Sequence, residues 1–402
     1  MRSDVGAISG RLPDFEAFPE LSSLESRISS LSLGGLRLKS NSIKNILHEK
    51  GIISGGPKVV AIGGGTGLSV LLRGLKKYTS NITAIVTVSD DGGGSGLLRE
   101  DMGILPPGDI RNCIVSLANT EPIMEQLMQY RFKDGSLKGQ SFGNLFIAAM
   151  NDICGSFDIA VREVGSVLAV TGKVLPVTLD NVRLYAELED GTVIKGESQI
   201  PIKQQALNKR IRKVFLKPGN CKPLPVALEE IQNADVIVLG PGSLYTSIIP
   251  NILVKNMTKA INSSSALKIY VSNIMTQQGE TVGYSLSEHI RAINDHGNRL
   301  MIDYAIANTG EIPQKLLEKY RTEDASPVLI DYDIIADMGI KVLGGDFVTI
   351  ENEYLRHNFN KLAEQIFKLL NEEKLQKDKK RLLDYYLISG KLKKSKSLTK
   401  GR

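Results

Sequence analysis

Short, unbroken apolar runs that end in glycine recur along the middle of this chain. The first, Lys58–Ile62 (KVVAI), runs into Gly63-Gly64-Gly65-Thr66-Gly67. A continuous apolar run of this length marks a strand covered on both faces, hence a parallel sheet. From Leu68 the spacing changes, with Leu68, Leu71, Leu72 and Leu75 on one helical face. Ile82–Val88 (ITAIVTV) is a second strand, rich in β-branched residues. It also ends in polar, glycine-rich sequence, Ser89-Asp90-Asp91-Gly92-Gly93-Gly94-Ser95-Gly96. This order predicts a βαβ unit whose right-handed crossover sets both loops at one sheet edge.

Apolar stripes at helical spacing predict helices over 109–117, 122–132, 142–153 and 159–169. From about residue 174 the character changes. Val182–Leu188, the Asp190-Gly191 turn and Val193–Glu197 read as a β-hairpin, and Arg212–Leu216 as a further strand. The α/β pattern resumes with a helix at Val226–Ile231 and a strand at Asp235–Leu239, ending in Gly240-Pro241-Gly242-Ser243. A strand at Leu267–Val271 follows, ending in Ser272-Asn273-Ile274-Met275-Thr276. Helix Leu286–Asp295, strand Tyr304–Ala307 and helix Tyr354–Leu370 complete the pattern. The fold class expected is α/β: a Rossmann-like three-layer domain with a mostly parallel sheet, plus a smaller β-containing insertion over about 174–222. The body spans 58–372. It is preceded by a low-order, serine-rich leader (1–57) with a short helix over 42–50, and followed by a basic tail (373–402).

Charge sharpens this division. Of the net +6, the tail alone holds eleven Lys/Arg against three Asp/Glu, so the body is slightly acidic. An acidic body without tryptophan and with 5% aromatics argues against nucleic acid. Cys113, Cys154 and Cys221 lie far apart, in neither metal-ligand nor disulfide spacing, and read as core residues of a reducing compartment. With no apolar run of about 18 residues and no apolar signal core, the chain is expected to be soluble and cytoplasmic.

Ligands of open α/β sheets bind beyond the carboxyl ends of the strands. In GGGTG, Gly64, Gly65 and Gly67 let backbone N–H groups approach an anion, the helix start adds its positive end, and Thr66 and Ser69 offer hydroxyls. The loop has Leu68 where a dinucleotide-binding loop has its third glycine, and it lacks the Lys-Ser/Thr ending of an NTPase loop. Asp90 and Asp91 at the second strand end suit ribose hydroxyls, or Mg²⁺ held through carboxylate oxygens and ligand phosphates. Asp109 reads as a helix cap, with Arg111 and Asn112 better placed for ligand contact. Asn144, near a helix start, and Gly242-Ser243 are further candidates. His48, His289, His296 and His357 adjoin no glycine loop and read as solvated or capping residues. No hydrolase elbow, zinc-protease motif or cysteine triad is present, so any chemistry points to metal-assisted transfer of phosphorus-containing groups through Asp90 and Asp91.

GGGTGLS, SDDGGGSGxLR, PPGDIRN, SFGNL, GPGSLYTSIIPN and SNIMTQQGET, in this order, resemble the bacterial gluconeogenesis factors (the YvcK type), in the superfamily of 2-phospho-L-lactate transferase of deazaflavin coenzyme synthesis. The resemblance covers about 58–350. It implies a self-associating Rossmann-like protein, expected as a dimer, that binds UDP-sugars such as UDP-N-acetylglucosamine. It also implies a role in growth and cell shape on gluconeogenic carbon sources, which brings in cell-envelope synthesis proteins as partners. The nucleotide contacts it implies are Gly64, Gly65, Thr66, Gly67, Asp90 and Asp91, with Asn144, Gly242, Ser243, Asn273 and Thr276 around the same cleft. The alternatives are a Mg²⁺-dependent transferase of the phospho-lactate kind and an NAD(P)-binding oxidoreductase.

Overall fold

A computed structural model describes residues 56–376, Leu300 excepted. The expected leader helix at 42–50 and most of the basic tail lie outside the described residues. In chain order, β1 (Val59–Gly63) leads through α1 (Gly65–Leu75) to β2 (Ile82–Val86). Helices α2 (Gly93–Met102), α3 (Gly108–Leu117), α4 (Pro122–Gln129), α5 (Phe142–Cys154) and α6 (Phe157–Val167) precede β3 (Lys173–Pro176). Next come β4 (Arg183–Leu188), β5 (Val193–Lys195), α7 (Gln199–Leu207) and β6 (Ile211–Lys217). They are followed by α8 (Pro225–Gln232), β7 (Val236–Leu239), a π-turn at Leu244–Ile248, α9 (Ile249–Leu253), α10 (Met257–Ser263) and β8 (Leu267–Val271). The last elements are α11 (Leu286–His296), β9 (Tyr304–Asn308), α12 (Gln314–Thr322), α13 (Tyr332–Asp337), β10 (Lys341–Gly345), β11 (Val348–Glu351), β12 (Tyr354–His357) and α14 over 359–376.

The main sheet has seven strands in the order β10-β9-β8-β7-β1-β2-β3, all parallel. Every residue of β1, β2, β7 and β8 is buried. Successive side chains of a strand face opposite ways, so both faces of the central sheet are covered, as the unbroken apolar runs require. β1 sits between β2 and β7, paired in register with each (Val59 opposite Ile82 and Val236). The chain winds outward on one side to β2 and returns on the other at β7. The order therefore reverses between β1 and β7, and a crevice opens above their carboxyl ends. Strands β5, β4 and β6 form a separate antiparallel sheet.

Several elements differ from the sequence reading. Tyr354–Leu370 is not one helix: β11 and β12 form a hairpin across Asn352 and Glu353, whose φ angles of 49° and 60° suit a two-residue turn. The helix starts only after Asn358, whose side-chain oxygen accepts the Lys361 N–H at 3.1 Å, a cap that resets the chain direction. Strand β3 sits where the insertion was expected to begin, yet it belongs to the main sheet. Helix α7 interrupts the β-rich segment, and α12, α13, β10 and β11 carry too few apolar residues to announce themselves. Among the described residues, no single helix is long and apolar enough to cross a membrane.

Candidate functional site

The loops after β1 and β7 touch. A Cβ added at Gly67 would lie 2.5 Å from the Pro241 carbonyl oxygen and 3.1 Å from the Gly242 nitrogen, both backbone atoms. Only glycine fits there. Gly65, at φ 65°, takes the left-handed turn into α1. Beneath them, the Asn251 amide donates to the carbonyls of Gly63 (3.0 Å) and Ser247 (2.8 Å), tying the end of β1 to the π-turn.

A pocket of about 410 Å³ opens above this junction. Six residues singled out from the sequence line it: Thr66, Gly67, Gly242, Ser243, Asn273 and Thr276. The opposite wall, which the sequence reading missed, includes Tyr320, Glu323, Arg356 and His357 from α12, the residue that follows it and β12. Thr66 is exposed, so its hydroxyl is open to a ligand. The Asn273 side-chain oxygen is buried with no hydrogen-bond partner among the described residues, an acceptor awaiting a donor. Thr276 is instead occupied in holding its loop, since its hydroxyl oxygen accepts the Ser326 N–H at 2.9 Å. Arg356 is exposed and is the one Lys or Arg among the lining residues. His357, read from the sequence as solvated or capping, borders the glycine-rich cleft: its Nε2 meets the Ser272 carbonyl at 3.1 Å. Burial pushes its imidazole down to about 4, so it is neutral at pH 7 and donates that hydrogen bond.

A second feature lies on the β2 side of β1, where carboxylates gather. A Cβ on Gly64 would lie 2.6 Å from Asp109 Oδ2, and the Gly65 N–H donates to the Asp109 carboxylate. Burial, reinforced by the charge of Asp90, pushes Asp109 up to about 7. Asp90 is also raised by burial, although it accepts the Gly92 N–H at 2.8 Å. Glu197, from the segment between β5 and α7, is pushed up to about 8 by burial and then by Asp90 and Glu280. Asp91 turns away, accepting the Ser198 N–H at 2.9 Å and so fastening that segment to the loop after β2. Asp109, explained from the sequence as a cap, is thus drawn into the site. No three His, Cys, Asp or Glu among the described residues form a metal cluster. Two partly compensated carboxylates such as Asp90 and Asp109 do suit a hard divalent cation that completes its shell with water and ligand phosphates.

The remaining sequence candidates hold structure together. Buried Arg111 donates to Ser141 Oγ (2.5 Å), Asn144 Oδ1 (2.8 Å) and Asn112 Oδ1 (2.9 Å), locking α3 to the start of α5. Ser69 donates to the Thr66 carbonyl at 2.8 Å rather than facing a ligand. His296 is no solvated residue either: its Nε2 accepts the Val214 N–H at 2.8 Å and anchors β6 to α11. His289 is fully buried, its Nδ1 on the Ser285 carbonyl. Cys113 and Cys221 are buried, as expected, whereas Cys154 is half-buried.

Glu280 ties the loop after β8 to the π-turn after β7. Fully buried, it accepts the Tyr245 N–H (3.0 Å), the Thr246 hydroxyl (2.9 Å) and the Gln277 amide (3.2 Å). One carboxylate from the loop after β8 therefore holds the π-turn that follows Gly240-Pro241-Gly242-Ser243. Burial pushes it up to about 7.

Residues 59–348 match the family model described as 2-phospho-L-lactate transferase CofD. A relative from Thermoanaerobacterium thermosulfurigenes is 59% identical over 315 residues, 78% of this chain and 97% of the relative. One from Bacillus subtilis, named gluconeogenesis factor, is 47% identical over 317 residues, 79% of this chain and 99% of the relative. A crystal structure of a upf0052 family member from Bacillus halodurans superposes with a TM-score of 0.75 at 48% identity, covering 77% of this chain and 99% of that one. The chain belongs to the CofD family, among relatives that carry the name gluconeogenesis factor.

Proposed function

We propose that the chain is a regulatory protein that binds a nucleotide sugar of the UDP-N-acetylglucosamine kind. The observation that carries this reading is the pocket above β1, β7 and β8. Its size falls in the range of roughly 300–1,000 Å³ usual for small-molecule sites. Its walls combine what a nucleotide sugar needs. The start of α1 and the exposed Thr66 hydroxyl offer donors to phosphate, Arg356 supplies positive charge opposite them, and Asn273 offers an unused acceptor to a base or sugar donor. The pocket itself holds no nucleophile paired with a base, which favours binding over turnover. On this reading the protein acts in the cytoplasm as a homodimer, and envelope-synthesis proteins read its liganded state during growth on gluconeogenic carbon; these parts rest on the family resemblance. Titration calorimetry with UDP-N-acetylglucosamine tests the binding. Saturable heat from a site that Thr66→Ala and Arg356→Ala each weaken at least tenfold supports it; no heat at millimolar ligand removes it.

A second reading has a specific observation behind it. Raised, mutually coupled carboxylates beside a phosphate-binding loop are the environment in which acid–base and metal chemistry is arranged. Asp90 and Asp109 would then hold Mg²⁺, which would neutralise charge on a transferring phosphoryl group. This chain's own part is to position the ligand phosphates at α1 and to keep a proton on Glu197. Incubation with a deazaflavin acceptor, activated phospho-lactate and Mg²⁺ decides it: GMP release lost in Asp90→Asn supports a transferase, and absence of product argues against one.

A further inference from the structure

The outer face of the small β4–β5–β6 sheet is built unlike the rest of the body. Its inner face, carrying Leu184, Ala186, Ile194, Val214 and Leu216, is buried. On the outer face, Lys195, Tyr185 and Phe215 stand side by side across the three strands. Arg183 and Lys217 form the neighbouring pair on one side; Val193, Glu187 and Lys213 form the row on the other. The Tyr185 and Phe215 rings are stacked, with centroids 5.4 Å apart, and the Lys217 ammonium lies over both, at 4.7 and 5.8 Å. Glu187 is the single carboxylate among these positions, and Lys213 and Arg212 already pair with it. Lys195 and Lys217 are exposed and make no ion pair among the described residues. Residues 174–222 carry nine Lys/Arg against five Asp/Glu, on a body that is slightly acidic overall.

We propose that this sheet face docks an acidic protein segment, whose carboxylates meet Arg183, Lys195 and Lys217 while an apolar side chain beside them rests on the exposed Val193. Charge selects this occupant. The chain's own tail is strongly basic and its first 57 residues are near neutral, so neither complements the face, and a second copy would set cations against cations. Single-stranded nucleic acid needs open ring faces for its bases, and here the lysine ammonium already covers them. Surface cations flanking a rigid aromatic platform give orientation and fast encounter rather than deep burial, which suits a reversible regulatory contact.

The test uses the full chain and two fluorescein-labelled probes, a twelve-residue glutamate-rich peptide and a twelve-nucleotide uridine RNA, read by anisotropy at several salt concentrations. The combined variant Arg183→Glu, Lys195→Glu, Lys217→Glu should bind the peptide at least tenfold more weakly than the parent. A matched reversal at exposed Lys138, Lys259 and Lys315 should stay within twofold, which controls for binding to the tail. The same three positions changed to Gln should give an intermediate loss. Equal loss in the two reversed variants, no peptide binding by the parent, or RNA bound as tightly as the peptide and lost with it overturns the proposal.

Discussion

Replacing Glu280 by Gln tests whether one buried carboxylate sets how the cleft responds to pH. Glu280 is 2% exposed and accepts three hydrogen bonds, so the neutral amide of Gln fills the same space. Its oxygen still accepts the Tyr245 N–H, and the Thr246 hydroxyl can turn to accept from its NH₂. What changes is titration. In the folded protein Glu280 holds its proton up to about pH 7, against an ordinary value of 4.5. Between those values the folded state binds more protons than the unfolded one, so stability falls as pH rises. The contribution is fully present below about pH 4.5 and gone above about pH 7. At 1.36 kcal/mol per unit the loss is about 3 kcal/mol. The amide of the Glu280→Gln variant does not titrate and escapes this loss. Urea unfolding of both proteins at pH 5, 6, 7 and 8 should show the variant gaining about 2.5 kcal/mol relative to the parent between pH 5 and 8, since part of the loss already lies below pH 5. A difference that stays constant across that range would mean that Glu280 titrates like an exposed carboxylate, and the reasoning would fail.

Three further outcomes follow from the geometry. Gly67→Ala pushes a methyl group against the Pro241 backbone at 2.5 Å and should cost about 1–3 kcal/mol while opening the pocket; a melting temperature and ligand affinity equal to the parent's would refute the contact. Asp91→Ala leaves the Ser198 N–H without its acceptor and should cost about 1–3 kcal/mol, with faster hydrogen exchange over 196–200 as its local signature. If Asp90 and Asp109 receive a divalent cation, Mg²⁺ should raise the melting temperature of the parent at pH 8 and leave Asp109→Asn unmoved; an equal rise in both would place the ion elsewhere.

Much of the cleft was legible in the sequence because its parts are local. A buried parallel strand that ends in glycine states its own burial and its own loop, and KVVAIGGGTG, ITAIVTVSDDGG and DVIVLGPGS each do so within a dozen residues. Half of the pocket was readable for that reason. The far wall was not. Arg356 and His357 sit on a four-residue strand that follows an Asn-Glu turn, and Tyr320 sits on a helix with one buried side chain, Leu316. Neither element has the length or periodicity that betrays burial. The same limit explains Asp109 and Glu197. A cap and an isolated glutamate are unremarkable in one dimension, and only chain packing brings them against Asp90. His357 was misread as helical because the apolar pattern of α14 was extended five residues too far upstream, across the Asn358 cap.

The central claim is that the crevice where strand order reverses binds a nucleotide sugar through both of its walls. Titration calorimetry of the full chain with UDP-N-acetylglucosamine tests it most directly, comparing the parent with Thr66→Ala on the glycine-loop wall and Arg356→Ala on the far wall. The account predicts one saturable site per chain, weakened at least tenfold by each change and by more when both are combined, with melting temperatures near the parent's. Binding that survives both changes, or no binding by the folded parent, would contradict it.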